Sequence, residues 1–436
     1  SRPVRPDPLG DDDVEPSRTP DPAPRPRPAS IRVRWFKRFI ILATLAAVAG
    51  VTASFRIGRH YAVEGYTAAR RAVIYQLTGL GPDRAEIEAD WARRRALGVA
   101  RTTEVLTKFY DHADPAMKRL FDVAGMDPEH GLVRYGRGDQ AFLISPQVFE
   151  RDDSGRSYRF RPNMKSVWLR QITLRDGPFG LFLVPDDPAH REAATNAGAI
   201  VDEPSITTTN SWGLRGPEPD PDAPLRGVVL GDSFMQGMFN PDDQTPPVLL
   251  AKRLGELEGE EVSIANTGHL GYSPEQYYFS LLEYGPRMKP RFVVVSVCPN
   301  DFGNEFDILY GRPDWLDEAA YWLDRIYGWC RANDAIFLLV PVPSFPQVES
   351  RREDGFYPGL VCNVFNGPPS RYLDPLDRFV DENLRLKLEA RRAGESYARC
   401  KLYNRHIDDD HFSPLGAAIW ADAVARRLSL IMATSG

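Results

Sequence analysis

The sequence predicts an α/β protein. A three-layer α/β/α domain with a parallel sheet fills 206–436, behind a small α+β domain and a single N-terminal transmembrane helix. Three observations lead there. Within 226–436 short apolar runs alternate with helical patterns, which implies a parallel sheet covered on both faces. Between 131 and 184 the runs are short and alternating, separated by Gly, Pro and Asp turns. Finally, Phe39 to Phe55 holds no charged residue. With 436 residues the chain has room for two or three folded units.

Residues 1–34 read as a disordered cytoplasmic tail. Nine prolines fall within the first 30 residues, mixed with Asp, Arg and Ser. Such a stretch buries too little apolar surface to offset its ordering entropy. Residues 35–56 read as the anchor. Trp35 and Phe36 can sit at the interface and extend the 17 uncharged residues that follow. Arg32, Arg34, Lys37 and Arg38 outweigh Arg56 and Arg59, which places the tail inside and the rest of the chain outside, periplasmic or extracellular. A cleaved signal peptide is the rival, since Val51-Thr52-Ala53 resembles a small-residue cleavage site. Charge divides the same way. Residues 1–56 carry ten Lys/Arg against six Asp/Glu, a net of +4, so the remainder of a chain of net −6 sits at −10. That acidic balance argues against a nucleic-acid partner.

Residues 57–205 read as a membrane-proximal α+β domain. A helical stretch from Asp83 to Ala116 is bracketed by Pro82 and Pro115. Strand candidates follow at Gln140–Ile144, Ser166–Leu169 and Gly180–Val184. Residues 185–225, rich in Pro, Asp and Thr, read as a connection whose segment Asn210–Gly216 packs beside the next domain.

The chemistry lies in 226–436. The apolar run Leu225–Leu230 leads straight into Gly231-Asp232-Ser233 and Gly237. A helix opened by prolines follows Thr245. The run Val262–Ala265 delivers Asn266 and Gly271, and Ser273 with Gln276 forms a capping box. Arg291–Val297 ends at Cys298-Pro299-Asn300-Asp301. A helix near 315–331, a strand at Ala335–Val340 and a charged helical stretch near 373–393 come next. Asp408 and His411 then precede a closing helix from Pro414 to Met432. Ser233, Gly271 and Asn300 each follow a strand, so they converge beyond the carboxyl edge of one sheet. Asp-x-x-His alone is weak. It occurs three times, as Asp127/His130, Asp187/His190 and Asp408/His411, and only the last follows the strands.

Residues 226–436 resemble the SGNH hydrolase (GDSL-type esterase/lipase) superfamily, in four blocks. These are Gly231-Asp232-Ser233 with Gly237; Asn266 with Gly271; Pro299-Asn300-Asp301, where Cys298 replaces the family's glycine; and Asp408-x-x-His411 with Ser413 and Gly416. The serine is not in a Gly-x-Ser-x-Gly elbow, because Met235 stands at the last position, which argues against the α/β-hydrolase fold. The resemblance implies a flavodoxin-like sheet and a serine hydrolase without metal or organic cofactor. It implies Ser233 as nucleophile, His411 as base, Asp408 as its orienting partner, and an oxyanion hole of Ser233, Gly271 and Asn300. The substrate implied is an O-acyl or O-acetyl ester, with a carbohydrate-linked one among the candidates. Transfer of the acyl group to an envelope glycan would use the same triad. A non-catalytic binding module on the same fold is the other class.

Among other candidates, His269 reads as a wall residue, His406 as background, and Asp409 and Asp410 as a solvated charge run. Of the four cysteines, Cys298 reads as a packed free thiol and Cys362–Cys400 as the one bridge. No Cys-x-x-Cys or His-x-x-x-His spacing marks a zinc site.

Overall fold

A computed structural model gives the fold. It describes residues 106–107, 111, 113–127, 132–135, 140–152, 154, 156–173, 179–202, 205–302, 315–350, 357–358, 368–397, 399–404 and 410–435. The tail over 1–34, the anchor over 35–56, the helix expected over 83–105, and Asp408 lie outside the described residues. All described residues belong to one compact unit, Thr67–Gly436. No helix among them is long and apolar enough to cross a membrane.

The first half is a mixed sheet backed by two helices. Helix α1 (Pro115–Val123) is opened by Asp114, whose carboxylate accepts the Met117 N–H at 2.8 Å. Pro115 therefore starts a helix, where the sequence pattern had it closing one. At N1 its missing N–H costs nothing, since that donor has no intrahelical partner anyway. Strands β1 (Leu132–Tyr135), β2 (Gln140–Ile144), β3 (Phe149–Asp152), β4 (Ser157–Phe160), β5 (Lys165–Thr173) and β6 (Phe179–Pro185) follow. Helix α2 (Pro188–Asn196) and the short strands β7 (Ile200–Val201) and β8 (Thr207–Thr208) lie within the stretch read as a plain connection. The sheet runs β1-β2-β6-β5-β7, with β8 also on β5, and β3 pairs with β4 as a separate antiparallel hairpin. Asp187 caps α2 and its carboxylate contacts His190 Nδ1 at 2.8 Å. This second Asp-x-x-His pair is thus a helix cap.

The second half is the parallel sheet. Its parts are β9 (Leu225–Leu230), α3 (Ser233–Gln236), α4 (Pro246–Glu258), β10 (Val262–Asn266), α5 (Pro274–Met288), β11 (Phe292–Val297), α6 (Trp315–Ala332), β12 (Ile336–Pro341), α7 (Phe345–Ser350), α8 (Leu376–Arg392) and α9 (Pro414–Ser435). The order is β10-β9-β11-β12, all parallel. Each strand matches an apolar run of the sequence to within a residue. Gln276 accepts from the Ser273 N–H at 2.9 Å, the expected capping partner of α5.

Both faces of each sheet are buried, and the strand period of two sorts the side chains. Val229, Val294 and Leu338 pack with Leu250, Trp420 and Leu428 from α4 and α9. Val228, Leu230, Val295 and Leu339 face the other way. That second cluster also takes Phe142, Ile144, Trp168 and Leu183 from the mixed sheet, so the two sheets share one core. The mixed sheet's far face, with Leu143, Val167 and Phe182, packs on α1 and α2. Cys298, Cys330 and Cys400 are buried free thiols. Cys400 donates its S–H to Asn383 Oδ1 at 3.2 Å, so the expected Cys362–Cys400 bridge is not formed.

Candidate active site

The site stands at the carboxyl edge of the parallel sheet. β9 ends at Leu230, and after Gly231 the chain turns into the single-turn helix α3, with Ser233 its first residue. Asp232 caps this turn, its Oδ1 accepting the Phe234 N–H at 3.0 Å. Gly237 closes the turn at φ 73°, and a Cβ there would lie 2.6 Å from Thr245, so glycine alone fits.

Ser233 is 3% exposed, and its Oγ lies 2.6 Å from His411 Nε2. That is the separation for donating the hydroxyl proton to the imidazole. Two residues that sit 178 apart in the chain thus meet at hydrogen-bond distance. The His411 ring lies against Phe234 at 4.7 Å and edge-on to Phe239 at 6.0 Å. Its backbone is fixed by Asn404, whose N–H donates to the His411 C=O at 2.8 Å. The Asn404 amide nitrogen also donates to Phe412 C=O at 2.7 Å and Asn240 Oδ1 at 3.1 Å, which joins the histidine loop to the serine turn.

The other two strand ends meet the same turn. After β10, Gly268 passes so close to α3 that a Cβ would meet Gln236 N at 2.3 Å and the Met235 carbonyl carbon at 2.5 Å. The Leu270 N–H donates to Gln236 Oε1 at 2.8 Å. Gly271 follows at φ 70°. The N–H groups of Ser233 and Gly271 meet no acceptor among the described residues. After β11, Asn300 lies exposed in a 3-10 turn (Pro299–Phe302), with its Oδ1 against Cys298 Sγ. Cys298 Sγ is 2.8 Å from Asp232 Oδ2, next to Ser233 in the chain. The structure therefore brings Ser233, His411, Gly271 and Asn300 to one edge.

Beneath them is a buried acidic cluster. Asp301 accepts from the Cys298 N–H and the Tyr277 hydroxyl, each at 2.8 Å. Burial pushes the Asp301 carboxyl well above its usual range, and the neighbouring Asp232 adds to that. Burial raises Asp232 too, against the Cys298 hydrogen bond and His411, which pull it down. Burial, with both aspartates close by, holds the Cys298 sulfur as a thiol, an S–H donor rather than a nucleophile.

Arg215 supports the serine turn from behind, in the segment expected to pack there. Its side chain is fully buried. Nη1 donates to Gln236 C=O at 3.1 Å and Gly237 C=O at 2.6 Å; Nη2 donates to Asn240 C=O at 2.5 Å and Ile206 C=O at 3.3 Å. Nε donates to Asp242 at 2.8 Å. Burial pulls this guanidinium below its ordinary value, opposed by Asp242. Arg215, Gly268, Gln236 and Asn404 carry no local signature of their role. Only Gly268, two residues past Asn266, stands inside a recognised block. His269 is buried and stacks on Phe160 and Tyr272. No group of three or more His, Cys, Asp or Glu able to hold a metal ion occurs among the described residues.

Among solved structures, similar folds include a lipase/acylhydrolase from Enterococcus faecalis, at 18% identity over 48% of this chain and 96% of that one, TM-score 0.29. Another is the psychrotrophic esterase EstA from Pseudoalteromonas sp., at 14% identity over 48% and 98%, TM-score 0.33. A third is the acetyl xylan esterase AlAXEase, at 15% identity over 48% and 99%, TM-score 0.35. No family model and no curated protein matches this chain. The chemistry of the site rests on its own geometry.

Proposed function

We propose that this chain is a serine ester hydrolase of the SGNH/GDSL type, acting on O-acyl or O-acetyl esters. The observation that carries it is the 2.6 Å Ser233 Oγ–His411 Nε2 pair, beside the N–H groups of Ser233 and Gly271 that meet no acceptor among the described residues. The steps follow from the atoms. Ser233 Oγ attacks the ester carbonyl carbon as its proton passes to His411 Nε2. The carbonyl oxygen becomes an oxyanion, held by the Ser233 and Gly271 N–H groups and the Asn300 amide. The C–O bond to the alcohol then breaks, and His411 gives the proton to the departing oxygen. Water, deprotonated by His411, cleaves the acyl-enzyme by the same route in reverse. Asp408 is the residue that would orient the imidazole. In this reading residues 35–56 anchor the enzyme by a single span, with the catalytic half outside the cytoplasm. The uncharged run and its flanking arginines support that placement.

The test is hydrolysis of p-nitrophenyl acetate and butyrate by the full chain, beside Ser233→Ala and His411→Ala. Each substitution is expected to lower kcat by at least about a thousandfold, since nucleophile and base act as a unit. Retained turnover in either variant refutes the assignment. Carbonate extraction of cell membranes tests the anchor, which predicts that the chain stays in the pellet.

A further inference from the structure

The first half of the fold has no part in the proposed chemistry, yet its separate β3–β4 hairpin grips the loop that carries Gly271. Residues His269 to Tyr272 form a β-turn closed by the Tyr272 N–H on the His269 C=O at 3.1 Å. Gly271, at the third position, has φ 70°, and Leu270 is not among the positive-φ residues, so the turn is type II. Types I and II differ by rotation of the central peptide, here the one joining Leu270 and Gly271. That peptide is planar and trans, so the Leu270 C=O and the Gly271 N–H point in opposite directions. Whatever holds the carbonyl holds the N–H.

The Tyr158 hydroxyl, from β4, donates to the Leu270 C=O. The Tyr272 hydroxyl donates back to the Tyr158 C=O. Phe160 stacks on His269 at 4.0 Å, and Tyr158 sits edge-on to it at 5.0 Å. Tyr158, Phe160, His269, Leu270 and Tyr272 are all at most 5% exposed, so no water replaces these contacts. The hairpin is itself fixed to α5, which leaves the same turn: Arg156 bonds Asp152 at 2.5 Å and also Glu283.

We propose that Tyr158 is a positioning residue: its hydroxyl holds the Leu270–Gly271 peptide in the orientation that aims the Gly271 N–H at the oxyanion, an inference that rests on the ester-hydrolase reading. Removing the hydroxyl leaves a buried carbonyl without its donor, and rotation to type I relieves it by turning the N–H away. Glycine at the third position accepts either turn, so little else opposes the rotation. The bond also polarises the peptide and strengthens its N–H as a donor.

Tyr158→Phe in the full chain tests this. With p-nitrophenyl acetate kcat is expected to fall about tenfold, below the roughly 100–1000-fold cost of losing one oxyanion donor outright. KM should stay within about twofold, because the ground-state carbonyl needs the donor less than the transition state does. Affinity for butylboronic acid, whose serine adduct places an oxygen in the hole, should fall in step with kcat. A purely structural role would not move those two together. Gly271→Ala drives the same rotation, since a side chain disfavours φ 70°. Tyr158→Phe added to it should cost less than twofold more. If Tyr158→Phe does not fold by circular dichroism, Tyr272→Phe, which releases the Tyr158 backbone, must show the same signature. Wild-type kcat in a folded Tyr158→Phe, or losses that multiply in the double variant, would overturn the positioning role and leave the hydrolase reading intact. A wild-type chain without Ser233-dependent turnover would overturn both.

Discussion

Arg215→Met strips the serine turn of its support, and the size of the loss follows from what the guanidinium touches. The side chain is 0% exposed and Asp242 is 27% exposed. Removing one partner of a buried ion pair costs about 3–5 kcal/mol, mostly for the charge left behind. Asp242 keeps partial solvent contact and two bonds from Thr208, to its N–H at 3.0 Å and its hydroxyl at 2.5 Å, which favours the lower end. The four carbonyls of Ile206, Gln236, Gly237 and Asn240 lose a donor as well, though the Gly237 C=O keeps the Asn240 N–H at 3.0 Å. The loss should be about 3–4 kcal/mol, a large share of the roughly 5–15 kcal/mol that stabilises a folded domain. Urea unfolding followed by tryptophan fluorescence reads it: with a slope near 3 kcal/mol/M, the midpoint falls by about 1 M. Adding Asp242→Asn should recover part of the loss, because the uncompensated carboxylate is then gone. A midpoint shift under about 0.3 M, or no recovery in the double variant, would refute the assignment of the turn's support to this ion pair.

Gly268→Ala pushes a methyl group into the backbone of α3, 2.3 Å from Gln236 N. It should lower stability by about 1–3 kcal/mol and kcat by at least tenfold, checked by thermal melting and ester turnover. Asp422, on α9, accepts from Arg253 on α4 at 2.8 Å, Arg378 on α8 at 2.6 Å and Arg426 at 2.9 Å. Partial burial raises its carboxyl, but the three arginines win and hold it at about 2. A carboxylate lowered on folding stabilises above its unfolded value, and that contribution is lost as pH falls through the folded one. Asp422→Asn should therefore cost about 1 kcal/mol at pH 7 after solvent screening, and its melting difference from wild type should shrink between pH 4 and 2.

The parallel sheet was legible because its strands are buried on both faces and read as mainly apolar runs: in Phe292–Val297 only Ser296 is polar, and it too is buried. Ser233, His411, Gly271 and Asn300 were legible because each stands where a strand or the last loop delivers it. The helices at Pro115 and Pro188 were not. Proline reads as a terminator unless the capping aspartate before it is given its weight, and both Asp114 and Asp187 are such caps. Tyr158 was invisible for a different reason. Its partner Leu270 lies 112 residues away, and one tyrosine in a four-residue strand carries no trace of the carbonyl it will meet. Arg215 looked like any arginine in a polar connection, since its five acceptors are main-chain and carboxylate oxygens assembled only by folding.

The core shared by the two sheets has a consequence for inheritance. Val228 and Leu230 of β9, the strand that leads to Ser233, lie in the same apolar cluster as Phe142, Trp168 and Leu183. A gene fragment encoding only 225–436 would carry every residue of the proposed site and still present that apolar face to water. Such a fragment could not be shuffled onto another partner as a free module, unless the partner brought a matching face and a hairpin to grip the glycine loop. Descent should therefore keep the two halves together and let them vary in concert, with a volume lost at Trp168 made good at Phe239, 5.6 Å away.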